Sequence, residues 1–122
     1  LDNNMRYLKL LLSILSLIIV TLGHSQTIDV GDGVVVAHFN ASWNEVNAVP
    51  WIEDINECNL VLVDISTNQE IMKRWEIIVV PTIVLFKDGE EIKRWQANVA
   101  FKIETDVKTV QEAVDEQNLS DF

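Results

Sequence analysis

The 122 residues are 48% apolar and 23% charged. That is enough apolar content for one compact domain and too little charge for general disorder. Lys and Arg total 9 against 19 Asp and Glu, a formal net charge of -10, and such a chain repels nucleic-acid phosphates. One cysteine excludes an internal disulfide, a Cys-rich zinc site and a CxxC redox pair. Two histidines, His24 and His38, leave little for a histidine metal site, so neither metal nor cofactor is expected.

Arg6 and Lys9 follow Met5, and the run Leu10 to Leu22 carries no charge. It is shorter than the roughly 18–20 residues needed to span a bilayer as a helix. Gly23 and Ser25 supply small residues at the -3 and -1 positions of a cleavage site before Gln26. This pattern predicts a secretory signal peptide over residues 1–25, with Leu1 to Asn4 an artefact upstream of the start. A lipoprotein would need cysteine where Gln26 stands. The expected product is an exported domain over residues 26–122, periplasmic or secreted, with no membrane attachment after cleavage; an uncleaved anchor is the alternative. Losing Asp2, Arg6 and Lys9 leaves that domain with 7 basic and 18 acidic residues, a net charge of -11.

Thr27 to Val30 predicts a short strand closed by the turn Gly31-Asp32-Gly33. Val34 to Phe39 is nearly all apolar and β-branched, the pattern of a strand buried on both faces. Val46, Val49, Ile52 and Ile55 have helical spacing and predict a helix over 44–57, kinked by Pro50. Leu60 to Ile65 predicts a second buried strand. Thr67 to Trp75 predicts a short helix, with Ser66 or Thr67 as N-cap and Glu70 placed for a capping box. Ile77 to Phe86 is a strand pattern interrupted by Pro81, and Lys87-Asp88-Gly89-Glu90 is a hairpin turn leading to a return strand over 91–96. A last helix is expected over about 105–118, with Val107, Val110 and Val114 on one face and Asp106 in its first turn. A helix between the first two core strands implies a parallel pair; the hairpin is antiparallel. The expected fold is α/β, a mixed four- to five-stranded sheet with helices on both faces.

This order resembles the thioredoxin-like superfamily. Phe39-Asn40-Ala41-Ser42-Trp43 is similar to the strand end before the thioredoxin active-site loop. The stretch Val80-Pro81-Thr82 through Gly89-Glu90 is similar to the cis-proline loop and its hairpin. The resemblance spans about residues 34–115 and is narrower still to small exported proteins of a Bacteroidetes type. The family motif Trp-Cys-x-x-Cys reads here Trp43-Asn44-Glu45-Val46-Asn47, and the family's buried acid falls on His38. An amide neither attacks a disulfide sulfur nor has a redox couple. The resemblance therefore implies a degenerate active site at His38, Asn44 and Asn47, with no catalytic residue for dithiol exchange.

It further implies a cis bond before Pro81 and a groove lined by Trp43, Asn44, Val46, Val79, Val80 and Pro81. An extended peptide or protein partner could lie there by main-chain hydrogen bonds. The competing reading is thiol-disulfide exchange or a mixed disulfide through the single thiol, Cys58. That residue is expected at the C-terminus of the 44–57 helix, whose dipole raises a thiol pKa. A third reading is a purely structural subunit. His38 is expected to be a buried core histidine, able to couple binding to pH or to join Asn44 and Asn47 in a polar cluster. Of the four tryptophans, Trp51 and Trp75 read as packing, Trp95 as half-exposed, and Trp43 as the groove rim.

Overall fold

The computed structural model describes residues 30–120. The expected signal peptide and nearly all of the Thr27–Val30 strand lie outside these residues. Val30 itself is not in a strand.

Four strands form one sheet: β1 (Val34–Asn40), β2 (Asn59–Asp64), β3 (Thr82–Lys87) and β4 (Glu90–Gln96), in the spatial order β2-β1-β3-β4. β1 runs parallel to β2, pairing Val35 with Asn59 and Asn40 with Asp64. It runs antiparallel to β3, pairing Val34 with Lys87 and Phe39 with Thr82. β3 and β4 form the hairpin. Every residue of β1 is buried, which is why its sequence is apolar on both faces, apart from His38 and Asn40, and not alternating. Among the described residues two α-helices complete the fold, α1 (Gln69–Arg74) and α2 (Val107–Leu119).

Side chains alternate across each strand, so the inner strands feed two cores. Val35, Ala37, Phe39, Val84 and Phe86 pack with Ile71 of α1 and with Ile77 and Val80. Val34, Val36, Ile83 and Leu85 pack with Val110 and Val114 of α2 and with Val49, Ile52 and Ile55. Truncating one of these fully buried side chains to alanine costs about 2–5 kcal/mol. Asp88 and Gly89 both take positive φ, 50° and 84°, as an Asp-Gly hairpin turn requires. The turn is tied to the start of β1: the Gly33 N–H donates to Asp88 Oδ1 at 2.7 Å, and the Asp88 N–H donates to the Gly33 carbonyl at 2.9 Å.

Three expectations are corrected. Residues 44–57 form no α-helix but two short 3₁₀ turns, Ser42–Asn47 and Ile52–Asp54. Asn44 is non-helical at φ -115°, Ala48 and Ile55 are extended, and Pro50 has no N–H to contribute. The apolar spacing still packs Val49, Ile52 and Ile55 into the α2-side core, while Val46 is left 89% exposed. Cys58 consequently sits at no helix terminus; it lies in a bend directly before β2. Second, the N-cap of α1 is Asn68, without a side-chain cap bond. Ser66 and Thr67 turn to Asp64 instead: the Ser66 N–H and hydroxyl donate to Asp64 Oδ1, and the Thr67 hydroxyl to its carbonyl. Third, 77–81 is not strand; β3 begins at Thr82. At α2, Asp106 is the N-cap, accepting the Thr109 N–H at 2.8 Å.

Candidate functional site

Three loops meet at one end of the sheet. The first follows β1 and contains the 3₁₀ turn Ser42–Asn47. The second, residues 75–81, leads into β3. The third, residues 97–106, links β4 to α2. Asn44 Nδ2 donates to the Val80 carbonyl at 3.3 Å, joining the first two. The Ala97 N–H donates to the Pro81 carbonyl at 3.0 Å, joining the second to the third. The Trp43 and Phe101 rings meet edge to face, 5.9 Å between centroids and 88° between planes, closing the circuit. Asn47 and Ala48 also share a cavity of about 200 Å³ with Lys102 and Ile103.

The two positions that would carry thiols are locked into an amide ladder. Asn47 Nδ2 donates to Asn44 Oδ1 at 2.9 Å, and Asn44 Nδ2 donates to Asn40 Oδ1 at 3.1 Å. Asn40 Nδ2 returns to the Asn44 carbonyl at 3.2 Å. Asn40 and Asn44 are both buried. A buried amide with its groups bonded is tolerated, whereas one left unbonded costs about 1–3 kcal/mol. Such local side-chain bonds also compete with helical backbone pairing, which accounts for the short, irregular turn here.

The structure divides the expected groove residues. Trp43 is 66% exposed and Val46 lies open to solvent, while Val79 is half-buried. Asn44, Val80 and Pro81 are buried: Val80 packs in the α1-side core, and Asn44 faces its own ladder. Their side chains therefore do not line an open groove, which corrects that part of the expectation. The Val80–Pro81 bond is cis. The Val79 carbonyl accepts the Thr82 hydroxyl at 2.6 Å.

His38 is buried, as read from the sequence, but has no bond to Asn44 or Asn47. Its Nε2 accepts the Val49 N–H at 3.3 Å, which puts the ring proton on Nδ1 in the neutral form. Burial lowers its pKa from the ordinary 6.5. His38 also lines a cavity of about 310 Å³ with Asn40, Ser42, Glu45, Leu62 and Asp64. The Ser66 hydroxyl and N–H, with the Ser42 N–H, hold the Asp64 carboxyl below its usual range.

Cys58 is not brought to this site. It precedes the start of β2, and the parallel register puts that end beside the start of β1. Asn44 lies past the opposite end of β1, about 20 Å away at roughly 3.3 Å per strand residue. The thiol is half-buried against the α2-side core, and burial pushes its pKa up. Among the described residues no group of three His, Cys, Asp or Glu could hold a metal ion.

The sequence reading missed the third loop. Asn98 organises it: its Oδ1 accepts the N–H groups of Ala100 and Lys102, and its Nδ2 donates to Glu104. The connection carries Ala97, Val99, Ala100, Phe101 and Ile103 among its polar residues, and no local signal in it announces the contact with Trp43. Ile78 was missed because 77–81 read as strand.

A mixed sheet of this order, a cis-proline loop against a degenerate CxxC position, and helices on both faces define a thioredoxin-like domain with its thiol positions substituted. The thioredoxin family model matches residues 23–109. The chain belongs to the thioredoxin family. It is 27% identical to thioredoxin of Bacillus subtilis (strain 168) over 92 residues, covering 70% of this chain and 86% of that protein. In fold it is similar to a mutant thioredoxin from Halobacterium salinarum NRC-1, with TM-score 0.58, 23% identity, and coverage of 70% and 75% of the two chains. It is also similar to Schistosoma mansoni thioredoxin, with TM-score 0.55, 19% identity, and coverage of 72% and 80%.

Proposed function

We propose that this thioredoxin-family domain is a binding module that performs no dithiol exchange and holds an extended peptide, from a protein partner, against the three-loop rim. We further propose that it acts after export, the 1–25 segment serving as its signal. The observation that carries the binding reading is the amide ladder. Both thiol positions hold asparagine, and the buried Asn44 amide is spent on Asn40, Asn47 and the Val80 carbonyl. Thiol exchange needs an accessible thiolate and a resolving partner. The one cysteine is half-buried, has a raised pKa and lies at the far end of the sheet, which disfavours the Cys58 route.

Insulin reduction by dithiothreitol tests the first half: the wild type and Cys58→Ser should both match the protein-free control. Thiol-dependent turnover abolished in Cys58→Ser would sink the binding-module reading in favour of monothiol exchange.

A further inference from the structure

Resting on that binding reading, we propose that Phe101 and Trp43 form an aromatic side wall of the rim, selecting an extended peptide that alternates apolar and basic residues. Phe101 has φ 60°, a left-handed backbone that costs a bulky residue about 1–3 kcal/mol where glycine or asparagine would fit. The conformation is held by Asn98, whose carbonyl accepts the Phe101 N–H at 3.0 Å and whose own N–H donates to the Lys102 carbonyl at 2.9 Å. The Asn98 amide oxygen takes the two neighbouring N–H groups as well. The strain does not serve burial, since Phe101 remains 41% exposed. It places the ring against Trp43.

Exposed apolar side chains concentrate at the same place. Among the described residues, five of the eight large exposed hydrophobics, Trp43, Val46, Ile78, Val99 and Phe101, belong to these three loops. An apolar rim of this kind marks an interaction surface. The Val80 carbonyl already accepts the Asn44 amide on one of its two lone pairs, and the exposed apolar side chains offer contacts beyond main-chain pairing. In an extended peptide alternate side chains point the same way, so one set can meet the wall.

Charge selects the other set. The chain carries 19 acidic against 9 basic residues. On the Trp43 flank, Glu45 and Asp64 share the 310 Å³ cavity with Ser42. On the Phe101 side, Lys102 is the one loop cation, and Glu104 follows it. Basic side chains on the peptide's outer face meet an attractive field; acidic ones are repelled.

The test titrates the 122-residue chain with three decapeptides, alternating Lys-Leu, Glu-Leu and Lys-Ser. Affinity is read by calorimetry and the contact surface by backbone amide shifts. Lys-Leu is expected to bind at least tenfold tighter than either of the others. Its shifts should fall on 41–48, 77–81 and 97–103. Phe101→Ala should weaken Lys-Leu about tenfold, with Phe101→Gly, which relieves the backbone, showing the same loss from a fold that is no less stable. Equal binding of Lys-Ser and Lys-Leu, or an unchanged affinity in both Phe101 variants, overturns the wall while leaving the binding reading. No shift on the three loops with any peptide overturns the binding reading and this inference together.

Discussion

The loop after β1 and the loop after β4 face each other across the Trp43–Phe101 contact, and they are built on opposite terms. In the first, polar side chains are buried and bonded to one another, and the backbone is relaxed apart from one irregular residue, Asn44. In the second, an aromatic side chain is exposed and its backbone is strained. Both are organised by asparagine amides, yet the amides of the first face inward to the core and those of the second hold a turn at the surface. The position where the family keeps its chemistry has become a structural clasp. The exposed apolar surface lies beside it, on Trp43 and Val46 of the same loop and on Ile78, Val99 and Phe101 of the other two.

That contrast can be broken by substitution. Asn44→Ala should cost the most, about 1–3 kcal/mol, because it leaves the Asn40 amide oxygen and Asn47 without their partners in a buried site. Urea unfolding measures it; a loss under 0.5 kcal/mol would show the ladder to be idle. Asn98→Ala should cost less, about 1 kcal/mol, since its bonds are solvent-exposed. The sharper readout there is amide exchange, which should quicken at Ala100 and Lys102 while β1 stays protected.

Phe101→Gly should have the opposite sign. Relief of the left-handed backbone offsets the lost Trp43 contact, and stability should stay level or rise by up to about 1 kcal/mol. A clear fall in melting temperature would mean the ring is a packing residue after all.

The last prediction concerns pH. The folded-state pKa of His38 is lowered by burial, so the folded protein favours the neutral ring, which accepts the Val49 N–H. The unfolded chain binds the extra proton first. Stability is therefore full above the ordinary value of 6.5 and declines as pH falls below it, toward the folded pKa. Asp64 and Asp106, whose carboxyls are held low by hydrogen bonds, lose their contributions only further down, below 3.8. A His38→Gln variant should flatten the upper window and leave the lower one.

The sheet was legible because burial on both faces writes continuous runs such as Val34 to Phe39, and Asp-Gly writes its own turn. The helix expected over 44–57 was not, because its apolar spacing is real but the asparagines around it prefer side-chain bonds to helical ones. At the site, the degenerate positions could be placed by resemblance. Whether Asn44 opens to a groove or turns inward depends on Asn40 and Val80, residues four and 36 positions away. Phe101 could not be placed at all, since nothing local announces that its loop folds back on Trp43.

The outer strand β4 has a consequence for self-association. Glu90, Glu91, Lys93 and Arg94 put charge on both of its faces, and Arg94 folds back onto the carbonyls of Trp75 and Glu76. A second strand approaching that edge must displace or neutralise them, a common guard against edge-to-edge aggregation. β2, the other edge among the described residues, runs Leu60-Val61-Leu62-Val63 with one charge, Asp64. Any strand added to this sheet, from this chain or another copy, joins most cheaply at β2.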